Sequence, residues 1–288
     1  MARLNRLVEL FERDQPAFGV FCGNLSTRSA AALGASGLDF VFVDFEHTPY
    51  DLTRLEAFLL ALHSRGRVLE KGSLQPDVVP LVRIPSYGRE NLQLFTKQVL
   101  DLGAMGVVAP HVSTPGEALN AVRATRFPPM RGASDQGPGG HRGIGYGWAC
   151  HVWGVGGEEY ARVADLWPLD PDGELLLIPM IETGEAVRDL EQILDVPGIG
   201  AVFIGPSDLA ASLGLPDGHP DVEPVLDQVV RVCRSHGIPC GAFASASNME
   251  QRLAQGFRLI ALGGDTGLPA AQAAALAEGR RLREGTAR

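Results

Sequence analysis

Asp39-Phe40-Val41-Phe42-Val43-Asp44-Phe45-Glu46-His47-Thr48-Pro49-Tyr50-Asp51 is the stretch on which the reading of this chain turns. Phe40 to Val43 is short, apolar and rich in β-formers, the pattern of a strand buried on both faces. It then stops, and residues of catalytic type follow at once: Asp44, Glu46 and His47. A buried strand that releases an acid and a histidine at its carboxyl end is how parallel α/β folds assemble active sites. Asp51 has a plainer reading, as the N-cap of a helix over Leu52 to His63. Glu46 stays open between chemistry and a solvated turn.

Outward from this stretch, strand and helix signals alternate. Further strands are expected at Ala17–Cys22, Val78–Ile84, Met105–Ala109, Leu175–Ile181, Ala201–Ile204, Pro239–Phe243 and Arg258–Leu262. Helices are expected between them, among them Arg89–Asp101, Glu185–Leu194 and Val222–His236. Thr114-Pro115-Gly116-Glu117 is a capping box with proline at the first helical position. Eight strands alternating with helices in 288 residues indicate an α/β chain folded as one (β/α)₈ TIM barrel over residues 1–288. An open doubly wound sheet is the alternative, but no G-x-G-x-x-G follows the first strand. Two segments exceed a minimal barrel. Arg65 to Asp77 falls between a helix and the next strand, hence on the lower face. Arg131 to Asp172, an insertion before strand five, is rich in glycine and carries Tyr146, Trp148, Trp153, Tyr160 and Trp167. A structureless loop of that length does not suit a compact domain, so it reads as a lid or a subunit interface, with Glu158 to Leu166 helical.

Composition narrows the partners. The chain is 45% hydrophobic with a formal charge of -9, which argues against nucleic acid or an anionic membrane as the main partner. No run of eighteen apolar residues offers a membrane span. The first thirteen residues read as an amphipathic helix and not a signal peptide. Cys22, Cys150, Cys233 and Cys240 form no C-x-x-C pair, so a reduced, cytoplasmic protein is expected.

In a barrel the residues just past each strand share the upper face. Strand two supplies Asp44, Glu46 and His47; strand three ends on Arg83; strand five on Glu182; strand six on Gly205-Pro206-Ser207-Asp208. Glu182 and Asp208, from neighbouring strand ends, suit an oxygen-seeking divalent ion, Mg²⁺ or Mn²⁺, with Co²⁺ or Zn²⁺ also admissible. Each also has the plainer reading of a charge in the first turn of a helix. Arg83 closes an apolar strand, where a charge is costly unless paired or used; it forms a structural salt bridge or holds a carboxylate or a developing enolate oxygen. Asp44 and His47 could form a dyad in which the acid orients the imidazole and the imidazole moves a proton. The backbone N–H groups of Ser207 and Asp208 could hold a substrate carboxylate. His63, His111, His141, His151, His219 and His236 form no spaced metal motif and read as surface or structural.

These residues also carry a resemblance. Asp-Phe-Glu-His-Thr-Pro-Tyr-Asp at 44–51, Val-Arg-Ile-Pro at 82–85, Ile-Glu-Thr at 181–183 and Gly-Pro-Ser-Asp-Leu at 205–209, in this order, resemble the HpcH/HpaI aldolases, over most of the chain from Phe18 to about Thr266. The resemblance implies a metal-dependent lyase that cleaves a 2-keto-4-hydroxy acid to pyruvate and an aldehyde. It implies Glu182 and Asp208 as metal ligands, Arg83 as the enolate-stabilising group and Asp44 with His47 as the dyad serving the base. It places Gly205, Ser207 and Asp208 at the pyruvate carboxylate. It also implies a homohexamer of swapped dimers whose last helix docks on a neighbour. One departure stands out: Met180 occupies the position where the family usually has Gln, and a thioether cannot donate the hydrogen bond an amide can. The Arg-Gly segment of the family is displaced, leaving Arg131-Gly132 and Arg142-Gly143 as candidates. Two other readings remain. One is a thioester lyase of the citramalyl-CoA or malyl-CoA type, with Arg126, Arg131 and Arg142 as its available cations. The other is a non-catalytic barrel acting in assembly.

Overall fold

Runs of Val, Leu, Ile and Phe flanked by turn residues become eight strands buried along nearly their whole length. A computed structural model describes residues 3–85, 92–129, 137–264 and 270–286, apart from the side chains of 270 and 286. The strands are β1 (Ala17–Cys22), β2 (Phe40–Asp44), β3 (Val79–Arg83), β4 (Gly106–Ala109), β5 (Leu176–Ile181), β6 (Val202–Ile204), β7 (Cys240–Phe243) and β8 (Leu259–Gly264). All pair in parallel with their sequence neighbours, and β8 returns to β1 to close the barrel. The helices are α1 (Arg6–Glu12), α2 (Thr27–Gly34), α3 (Leu52–Leu62), α4 (Arg65–Lys71), α5 (Gln93–Asp101), α6 (Pro115–Thr125), α7 (Gly147–Trp153), α8 (Gly157–Val163), α9 (Gly184–Arg188), α10 (Leu190–Leu194), α11 (Pro206–Ser212), α12 (Val222–Ser235), α13 (Met249–Gln255) and α14 (Ala270–Thr286). Among the described residues no helix is long and apolar enough to cross a membrane.

The (β/α)₈ barrel expected from the alternation is the fold observed. The expected caps form too: Asp51 accepts from the N–H of Arg54, and Thr114 and Glu117 complete a capping box. Two elements differ. The single helix read over Glu185–Leu194 is two short helices that meet at Asp189. Arg65 to Asp77 contains α4, capped by Ser64. The expected start of the helix at Arg89 lies outside the described residues.

The base of the barrel is plugged by α1. The Asn5 side chain caps α1 and donates to the carbonyls of Met105 and Glu174, at the entries of β4 and β5. The last helix seats on its own barrel. Arg283 Nη1 lies 2.7 Å from Asp39 Oδ2, and Asp39 is fully buried and also meets Arg6 at 3.0 Å. Gly279 lets α14 approach, because a Cβ there would sit 2.5 Å from the Phe18 ring.

The described part of the insertion, residues 137–172, lies along α5 and against the loop entering β4. Trp153 Nε1 donates to the Gly103 carbonyl, and Arg142 Nη2 meets both Asp101 Oδ1 and the Tyr160 hydroxyl at 3.0 Å. Tyr160 stacks on Tyr146 and meets Trp153 edge-on, and Tyr146 reaches the edge of Phe127. At the other end of the strands, Phe21, Phe42, Phe203 and Phe243 form a closed set of four rings with touching centroids 5.0–5.6 Å apart. This aromatic layer fills the barrel beneath its upper mouth.

Candidate active site

Arg83 leaves β3 directly over that layer, its guanidinium carbon 4.7 Å from the Phe21 ring centre. Register brings it beside Asp44, since the two residues are partners in the β2–β3 pairing. The guanidinium forks onto Asp44, with Nε 2.9 Å from Oδ1 and Nη2 2.8 Å from Oδ2. Its Nη1 lies 2.8 Å from Glu46 Oε2. A buried arginine bound to two carboxylates has a fixed position and charge, as a group that meets a developing anion must.

Asp44 does a second job. Its Oδ1 accepts from the backbone N–H groups of Glu46 and His47 and so shapes the turn after β2. With its oxygens taken by Arg83 and this turn, Asp44 does not meet the His47 imidazole. Among the described residues the expected side-chain dyad is therefore replaced by a different pair, with Glu46 Oε2 3.6 Å from His47 Nε2. The His47 side chain is 61% exposed and stands at the rim.

Glu46, open between two readings in the sequence, is inside the site. Burial pushes its carboxyl above the usual range, against the pull of Arg83 and His47, while Asp44 and Asp208 push it further. Opposite it stands Glu182, just past β5. Its side chain is fully buried. The carboxyl is pushed up to about 8, first by burial, and further by the charges of Glu46 and Asp208; a hydrogen bond from the His111 N–H, at 2.6 Å, opposes this. Glu182 Oε2 is buried and accepts no hydrogen bond. Gly205 makes room for it, since a Cβ at 205 would come within 2.2 Å of that oxygen. Thr183, the next residue, caps α9 and bonds Ser113, tying the exits of β4 and β5 together.

His111 is the residue that motif reasoning passed over. It lies two positions past β4, with Nε2 3.5 Å from Glu46 Oε1 and Nδ1 3.6 Å from Glu182 Oε1. Burial lowers its basicity, so the ring favours the neutral form. The rule of reading residues just past each strand would have found it; the search for spaced histidines did not. Glu46, His111 and Glu182 each offer a ligand atom, all within 4.8 Å of one another. Asp208, in the first turn of α11, is close enough to act electrostatically on all three. Ser207 is exposed and Gly205 buried at the same exit.

A buried carboxylate with an open oxygen and further negative charge around it calls for a cation. The donors are carboxylates and one imidazole, a set that fits a divalent ion. Met180, two residues before Glu182, is buried in the barrel. Two arginines considered for substrate binding are structural instead. Arg126 pairs bidentately with Asp165, and Arg142, fully buried, packs on Phe127 and binds Asp101. Arg131 lies outside the described residues.

Comparison with known proteins supplies the wider setting. Residues 17–271 match the family model described as HpcH/HpaI aldolase/citrate lyase. The chain is 35% identical over 258 residues to a 2-keto-3-deoxy-L-rhamnonate aldolase of Klebsiella pneumoniae, covering 88% of this chain and 85% of that one. It is 34% identical over 266 residues to the enzyme of the same name from Escherichia coli K12, covering 91% and 88%. A crystal structure of an HpcH/HpaI aldolase/citrate lyase family protein from Burkholderia cenocepacia superposes with a TM-score of 0.74 at 28% identity, covering 99% of this chain and all of that one.

Proposed function

The chain belongs to the HpcH/HpaI aldolase/citrate lyase family, and from that premise we propose a role for each residue at the barrel mouth. The protein is a carbon–carbon lyase of the metal-dependent aldolase class. It cleaves a 2-keto-4-hydroxy acid reversibly to pyruvate and an aldehyde. The 3-deoxy sugar acids of the relatives' names are the first substrates to try. The observation that carries this reading is Glu182: a fully buried carboxylate, one oxygen open, beside a locked arginine.

Glu182 and Asp208 would hold the ion; two carboxylates by themselves suit Mg²⁺ or Mn²⁺, with Co²⁺ or Zn²⁺ also admissible. When bound, such an ion polarises the 2-keto oxygen as a Lewis acid. The chain's own residues do the rest. Backbone N–H groups of Ser207 and Asp208, after the close turn at Gly205, receive the substrate carboxylate. His47, turned toward Glu46, serves the base that takes the proton from the 4-hydroxyl. The C3–C4 bond then breaks, its electron pair passes into the pyruvate enolate, and the aldehyde leaves. Arg83, held in place by Asp44, stabilises the enolate oxygen. Return of a proton to C3 completes pyruvate. The thioester alternative is weakened because Arg126 and Arg142 are engaged away from the mouth.

The same reading includes a homo-oligomer in a reducing, cytoplasmic setting. Ile144, 82% exposed, and the partly exposed Trp148 on the insertion support a subunit contact there; light scattering would test it. The function is tested by incubating metal-loaded protein with a panel of 2-keto-3-deoxy acids. Pyruvate is expected with Mn²⁺ and not with EDTA. Absence of pyruvate, together with no exchange of pyruvate methyl protons into heavy water, would overturn the reading.

A further inference from the structure

We infer that His111 is a direct nitrogen ligand to the divalent ion gripped by Glu182, so that the site takes imidazole-seeking ions in preference to Mg²⁺. The inference rests on the reading of this mouth as a divalent-metal site and goes beyond its carboxylate pair. Three observations carry it. First, the His111 backbone has φ 53°, a left-handed conformation that costs a non-glycine residue energy and that persists where the surroundings over-determine it. That conformation aims the N–H of His111 at Glu182 Oε1, at 2.6 Å, and sets the ring between two carboxylates. Second, the ring nitrogens stand 3.5 and 3.6 Å from Glu46 and Glu182, longer than normal hydrogen bonds. Both carboxylates therefore lie near the ring without closing onto it. Third, Glu182 Oε2 is buried and accepts no hydrogen bond, while Glu46 Oε2 is already held at 2.8 Å by Arg83. Among the described residues, the ligand atoms grouped with Glu182 are thus on His111 and on the other oxygen of Glu46, Oε1, with Asp208 nearby.

The chemistry sets the preference. Carboxylate and water ligands suit Mg²⁺, Ca²⁺ and Mn²⁺, whereas imidazole adds affinity for Co²⁺, Ni²⁺ and Zn²⁺. A strained histidine two residues past β4 would thereby tune an oxygen site toward these ions without altering the carboxylates.

The test uses the full chain loaded with Mn²⁺ or Co²⁺. Electron-spin-echo modulation of the Mn²⁺ form should show coupling to a directly bound ¹⁴N that changes on ¹⁵N-histidine labelling and vanishes in His111→Asn. Competition titrations should show Co²⁺ and Zn²⁺ binding weakened at least about tenfold in His111→Asn and in His111→Gln, since losing even an outer partner of a metal ligand costs 10–100-fold. Mg²⁺ binding should change less than about threefold. Bound Mn²⁺ without nitrogen coupling would overturn this inference and leave the aldolase reading standing. Failure of any ion to bind would overturn both. Absence of the coupling from the wild-type spectrum overturns the inference even where a variant does not fold, and its persistence in His47→Asn sets His47 aside as the source.

Discussion

Replacing Glu182 by Gln removes a charge from the most heavily buried carboxylate of the mouth and keeps its shape. In the metal-free protein the Glu182 carboxyl titrates near 8 instead of 4.5. The folded state therefore holds a proton that the unfolded chain has lost, and stability falls as pH rises from about 4.5 to 8. At 1.36 kcal/mol per pH unit the upper bound on this loss is roughly 5 kcal/mol. The amide escapes that loss but leaves its own NH₂ unpaired against Gly205, at a cost of roughly 1–3 kcal/mol. The net expectation in EDTA is a variant less stable than wild type at pH 5 and more stable at pH 9, by roughly 2 kcal/mol at each end. In a chain of this size that is about 4 °C in Tm. Excess Mn²⁺, at about a hundred times its Kd, should raise wild-type stability at pH 8 by roughly 2.7 kcal/mol and leave the variant unmoved. Scanning calorimetry across pH, with EDTA or Mn²⁺, measures all of this. A variant destabilised equally at pH 5 and pH 9, or stabilised by Mn²⁺ as much as wild type, would refute the reasoning.

Other outcomes follow from the same geometry. Arg83→Met should lower stability by roughly 3–5 kcal/mol, because Asp44 and Glu46 keep their buried charge without a partner, and should cut kcat at least about a hundredfold; urea melts and steady-state rates read the two effects. Gly205→Ala places a methyl 2.2 Å from Glu182 Oε2, so calorimetric Mn²⁺ binding should be lost while circular dichroism shows the barrel retained. Arg142→Met, at the insertion, should cost roughly 3 kcal/mol through the orphaned Asp101 yet leave kcat/KM of the folded protein within about twofold, separating a structural arginine from a substrate-binding one. EDTA treatment should abolish pyruvate release at every pH, with recovery on adding Mn²⁺.

Alternation of buried runs and amphipathic segments made the barrel legible, because strand burial and helix capping are local properties of the chain. The strand-end rule likewise puts Asp44, Arg83, Glu182 and Asp208 on one face from the sequence alone. At β4 the same rule reaches His111, which stands alone in the sequence with no spaced histidine partner to mark it. The split at Asp189 was also unreadable, since the apolar pattern of Glu185–Leu194 continues through it.

What the sequence determined by itself was which residues leave the barrel at each strand end, because a parallel strand delivers its next residue to the same face whatever its neighbours are. Only the tertiary structure decided how those residues pair. Register across β2 and β3 gave Asp44 to Arg83, so that Glu46, which Arg83 also holds, became the carboxylate beside His47. Close approach at Gly205 fixed the open oxygen of Glu182, and packing against Phe127 and Asp101 held Arg142 away from the mouth. Distances of a few ångströms between groups far apart in the chain decide ion pairing and desolvation, and no local pattern of residues encodes them.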